Sequence, residues 1–228
     1  ALTVWSMLHR RWSPAPLRLW VSGSLALAFG ATLFAAQGAV PGWASEELAG
    51  AFLSLAPALR IAALRIDLDR PPRAVWLGGL CLLDFSLFLL SLHAWTEFAG
   101  ALMGFGSMAA WNLAVAWHAG LAGRELHSRS GYVLAGVELA FSAALLLRML
   151  AVAAGWTEVH GLVESWDFVA VVVTGLAAAV YGNLGYLGLV LGRSRAAERA
   201  SVRKRASYSA DASWERCSTL MVLMATRR

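Results

Sequence analysis

Long apolar runs alternate with short polar breaks along almost the whole chain, and each run can cross the roughly 30 Å hydrocarbon core of a bilayer as a helix. Six such spans are predicted, at Leu19–Ala36, Glu47–Leu64, Ala74–His93, Phe98–Leu121, Tyr132–Ala154 and Asp167–Gly192. The second is the weakest, because Pro57 and Arg60 interrupt it. Barrel strands would alternate apolar and polar residues over about ten positions, and these runs are continuously apolar. The expected fold is an all-α, polytopic transmembrane bundle. Three regions follow: an amphipathic lead over 1–18, a membrane domain over 19–192 and a basic cytoplasmic helix or tail over 193–228. Ala1–Leu8 reads equally as an interfacial helix or as the last turns of a truncated seventh span. The start at Ala1 rather than Met suggests a longer parent chain, and no early run carries a signal-peptide cleavage pattern.

Composition agrees with this pattern. Of the 228 residues, 59% are hydrophobic and 14% charged, whereas soluble domains carry roughly 25% charged residues. The charges are sorted. Of 19 Lys and Arg residues, 18 lie toward one side, at or between the ends of spans; Arg148, within span five, is the exception. The opposite loops, 37–46, 94–97 and 155–166, hold no basic residue and include Glu46, Glu97, Glu158 and Glu164. The positive-inside rule therefore places both termini in the cytoplasm and requires an even number of crossings. It points to a bacterial inner membrane, with the basic tail against anionic headgroups; nucleic acid is not needed to explain the basic charge. Trp43, Trp95, Trp156 and Trp166 are assigned to the outer interface, and Trp20, Trp76 and Trp117 to the inner one. The outer loops are too short to fold as domains, so any external signal is small, lipidic or felt through the bilayer.

Ionisable and strongly polar groups inside spans are costly, which makes each a functional candidate. Arg60, Asp84, Asn112, Glu138, Arg148, Asp167, Tyr181 and Asn183 form the set, read as an intramembrane polar switch whose structural alternative is simple pairing across helices. At a rise of about 1.5 Å per residue, Glu138, Asn112, Tyr181 and Asn183 share the inner third of the membrane, with Arg60 in reach. Asp84 lies near the middle and Arg148 in the outer third. Glu138 and Arg148 are about 15 Å apart along one helix, so each needs a partner elsewhere. Arg148–Asp167 is the preferred pair and Arg60–Glu138 the other. Gly175, Gly182, Gly185, Gly188 and Gly192 on span six suit close helix packing, with a hinge beside Asn183 as the alternative.

Cofactor chemistry finds no support. No two histidines lie at one depth on facing spans, as bis-His haem ligation in a bundle requires. The single lysine, Lys204, is in the tail, which excludes a retinal Schiff base. Cys81 and Cys217 are placed too differently for a disulfide, and no zinc spacing occurs. No catalytic set is visible. Asp67 and Asp69, the one acidic pair a lipid- or isoprenoid-processing enzyme could use at this face, read as a solvated loop.

Three stretches carry a family resemblance. Leu59-Arg60-Ile-Ala-Ala-Leu-Arg65 runs into Arg70-Pro71-Pro72, Leu145-Leu-Leu-Arg148 sits in span five, and Asn183-Leu-Gly-Tyr-Leu187 sits in the last span ahead of a charged helix. Over roughly residues 1–205 this layout resembles the multi-span N-terminal input modules of bacterial GGDEF diguanylate cyclases and membrane histidine kinases. The resemblance implies a sensory module that relays a signal through its last span, as a homodimer, to a cytoplasmic output domain. No Gly-Gly-Asp/Glu-Glu-Phe signature or phospho-accepting His box is present, so no enzyme activity carries over. The competing expectation is a small transporter, although that class favours broken spans at corresponding places in two repeats, and Pro57 has no counterpart in span five.

Overall fold

The computed structural model describes residues 14–94, 96–156 and 166–225. In the last helix, side chains are described over 169–202, apart from 197 and 200. Most of the N-terminal lead, Trp95, the loop holding Glu158, His160 and Glu164, and the side chains of Glu97, Trp166, Asp167 and the tail lie outside this set. The chain forms α1 (Pro14–Ala35), α2 (Ala49–Asp67, entered through a π-helical turn at Ala44–Leu48), α3 (Ala74–Ala94), α4 (Glu97–Glu125), α5 (Arg129–Ala153) and α6 (Trp166–Ala225). All six contain a segment long and apolar enough to span a membrane, and together they mark a multi-pass, all-α membrane protein. The predicted spans fall on these helices. α1 starts five residues earlier than expected, because Pro14 and Pro16 occupy its first turn, where a missing N–H costs nothing.

Each helix packs antiparallel to the one before it. Gly23 and Gly30 of α1 face Ala56 and Ala49 of α2, and a Cβ on Gly23 would lie 2.8 Å from the Ala56 carbonyl oxygen. α2 is the central helix: 61% of its span is buried, against 11% for α3. Its Ala49, Gly50, Ser54, Ala56, Ala58, Ala62 and Ala63 give neighbours room to approach. α4 and α5 form the most extensive pair. They touch backbone to backbone at Gly123 and Gly131, where a Cβ on Gly131 would meet the Gly123 Cα at 2.6 Å. Ser142 Oγ donates to the Ala109 carbonyl at 2.8 Å further along the same seam. α6 lies against α5 through Gly175, Gly182 and Gly185, facing Phe141, Glu138 and Leu134. These glycines make close contacts, as expected of packing positions; nothing lies within 4 Å of a Cβ on Gly192.

The Arg-bearing turns gather at one end. Arg70, after α2, bonds Glu125 at the end of α4 at 2.6 Å, and Leu68, Ala122 and Leu189 pack together there. Among the described interfacial tryptophans, Trp43, Trp76, Trp117 and Trp156 face outward. Trp20 does not. It is 2% exposed, so its assignment to the headgroup belt is corrected: it is a core residue. The chain divides into two compact units, the first ending at Leu189 and the second beginning at Val190, while α6 runs unbroken from Trp166 to Ala225.

The Gly131 contact sets a test. Gly131→Leu forces a side chain into the Gly123 backbone, which cannot yield, and should cost about 1–3 kcal/mol in SDS-unfolding measurements on the purified protein. Gly136→Leu, on the same helix with nothing within 4 Å of its Cβ, should be near neutral. Equal effects of the two substitutions would refute the close-approach account.

Candidate functional site: a polar core tied to the last span

Arg60 of α2 and Glu138 of α5 meet in the middle of the bundle. Arg60 Nη1 donates to Glu138 Oε1 at 2.9 Å, with side chains 3% and 0% exposed. This is the pairing expected from depth and cost. The pair is only partly satisfied: Arg60 Nε and Nη2 and Glu138 Oε2 have no hydrogen-bond partner among the described residues. A buried ion pair recovers its desolvation cost only when its remaining donors and acceptors are also met, so this one is poorly compensated.

Trp20 links the pair to α6. The Arg60 guanidinium lies 4.8 Å from the centre of the Trp20 ring, within cation–π range. On its other side Trp20 stacks on Tyr186 of α6, with centroids 4.1 Å apart and planes 5° from parallel. Its indole Nε1 donates to Asn183 Oδ1 at 2.9 Å, and Ser24 Oγ donates to the same oxygen at 2.9 Å. Tyr186 OH donates to Asp67 Oδ2 at 2.8 Å. Asp67 is therefore not in a solvated loop: it is buried in the last turn of α2, and that expectation is corrected. Glu138 also sits directly beneath α6, where a Cβ on Gly182 would lie 3.3 Å from its Oε1.

The other sequence candidates divide. Asp84 of α3 accepts from Ser54 Oγ of α2 at 2.8 Å, from Trp111 Nε1 of α4 at 3.0 Å and from Ser107 Oγ of α4. It ties three helices together but stands apart from the Arg60 group. Asn112 Nδ2 bonds back to the Met108 carbonyl at 2.7 Å within its own helix and shares with Arg60 the wall of a cavity of about 10 Å³. Tyr181 is 54% exposed and points away from the core. Arg148 is buried on α5, and the side chain of its expected partner, Asp167, lies outside the described residues. Four members of the cluster were missed: Trp20, Ser24, Asp67 and Tyr186. Trp20 and Ser24 stand four apart on α1, and Asn183 and Tyr186 three apart on α6, the spacings that share a helix face. That was the available signal.

No protein-family model, curated protein or solved structure matches this chain.

Among the described residues the arrangement is a set of electrostatic, hydrogen-bonding and packing contacts. Arg60→Met should cost about 3–5 kcal/mol by leaving Glu138 buried and uncompensated. The double substitution with Glu138→Leu should recover most of that loss, as a double-mutant cycle on unfolding would measure. A single substitution costing under about 1 kcal/mol would show that the pair does not organise the core.

Proposed function

We propose that the chain is a membrane sensory or regulatory module that passes a change in its polar core through α6 to a cytoplasmic output domain. One observation carries this reading: the ties that hold α6 in register converge on an incompletely satisfied ion pair. Asn183 and Tyr186 both bond to groups that touch Arg60 or its helix. Signalling needs two arrangements of comparable energy. A pair with three unmet polar atoms gains less from its present arrangement than a saturated one, which narrows the gap to an alternative. Glycines facing α5 leave α6 few side-chain obstacles to sliding, and its unbroken helix supplies the conductor.

On this reading both ends of the chain face the cytoplasm of a bacterial inner membrane, as the arginine sorting requires. The basic stretch after Gly192 rests on anionic headgroups, and the module works as a homodimer of the kind found in GGDEF-cyclase and histidine-kinase input modules.

A fusion of residues 1–206 to a cyclase or kinase reporter tests the relay. Insertions of one, two and three residues after Gly192 should change output in a phase-dependent way, and Tyr186→Phe, which removes the Asp67 bond, should shift basal output. Unchanged output at every insertion length sinks the relay. Solute uptake by liposomes containing the purified chain would favour a transporter instead.

A further inference from the structure

A second feature lies away from the Arg60 group. Between α2, α3 and α4 is a cleft of about 500 Å³, within the size range of small-molecule sites. Its walls are apolar, with Ile61, Leu77, Leu80 and Leu83 on one side and Ala110 and Ala114 on the other. Trp76 and Leu83 line it and are also exposed on the outside of the bundle, so the cleft opens sideways, toward where lipid would be. Along α3 it runs from Trp76 to Leu87, about 16 Å, or half of a roughly 30 Å hydrocarbon core. That is the depth of one leaflet.

The mouth is cationic. Arg65 and Arg73 both line it, at the Arg-rich end of the bundle. Among the described residues no carboxylate pairs with either one, while nearby Arg70 is taken by Glu125. Arg65 Nε donates to the Pro71 carbonyl at 2.9 Å, which fixes the stem and directs the rest of the guanidinium elsewhere. Arg73 sits in a left-handed conformation, φ 51°, uncommon for a residue other than glycine. It immediately precedes α3, whose first turn carries no acidic residue and whose N-terminal dipole favours an anion. His118, also on the wall, has its Nδ1 2.9 Å from the Ala114 carbonyl, which leaves Nε2 for a ligand. Asp84, at the inner end, already accepts from Ser54, Trp111 and Ser107.

From this charge and shape we infer that the cleft binds an anionic, single-chain amphiphile from the adjoining leaflet. Arg65 and Arg73 hold its phosphate or carboxylate head, and its chain lies between α3 and α4. Two like charges beside one apolar cleft are complementary to such a molecule and poorly matched to a neutral lipid or a chainless anion. The inference is independent of the relay through α6.

The test uses the full chain in a neutral detergent, with bound lysolipid counted by native mass spectrometry. Oleoyl lysophosphatidic acid should bind saturably at one copy per chain. Oleoyl lysophosphatidylcholine should bind far more weakly, and inorganic phosphate should not compete. Arg65→Gln with Arg73→Gln should weaken binding about thirtyfold, the worth of two cations near a headgroup; Arg124→Gln, a charge outside the cleft, should change little. Ala110→Phe fills the cleft from an exposed position without altering charge and should also abolish binding. It decides the matter even if the double substitution fails to fold. Absence of a saturable copy, full binding by Ala110→Phe, competition by phosphate, or an Arg124→Gln effect equal to that of the pair would each overturn the site.

Discussion

The bundle depends on how it accommodates one guanidinium. Arg60 lies in the central helix, in an Ala-rich span, and its side chain is only 3% exposed there. Glu138 supplies the countercharge, Trp20 supplies a π face, and the surrounding small residues let four helices close around both. Each helix that contributes a group is thereby fixed at one height relative to the others. α6 is the most constrained in this way, since Asn183, Tyr186 and Gly182 all meet that neighbourhood. The polar groups set the register, and the glycine contacts set how near the helices stand.

Asp84 does for α3 what the Arg60 group does for α6. α3 has little buried surface and is held instead by three hydrogen bonds to one carboxylate. The bundle is thus unevenly built. A tight core of α1, α2, α4 and α5 carries the packing, and two outer helices are positioned largely by polar ties. The cleft lies toward the Arg-bearing end of α3, whereas Ser91 and Phe88 at its other end face Gly100 and Gly104 of α4 closely.

Much of this was legible in the sequence, and the limits have a physical cause. Apolar run lengths located the spans, since nothing except hydrocarbon demands such runs. Depth and desolvation cost identified Arg60 and Glu138 as partners across 78 residues of sequence. Depth gives height along a helix but not the direction in which a side chain points. Trp20, the second residue of its predicted span, therefore looked like a headgroup tryptophan, and Tyr181 was picked out where Tyr186 was not. Asp67 lies between arginines in a stretch that ends in Pro-Pro, which suggests a hydrated turn. Only the arrival of Tyr186 from α6 shows that the helix reaches that far and is covered there.

The separation of Arg60 from Glu138 also bears on how the protein is made. At about 5–20 residues per second of synthesis, α2 waits between about 4 and 16 s before its counterion has even been polymerised. At the start of that interval only α1 and the first part of α2 have been made, and α3 and α4 follow before Glu138 does. Of the two groups that meet the guanidinium in the finished core, the Trp20 ring is made before Arg60 and the Glu138 carboxylate long after it.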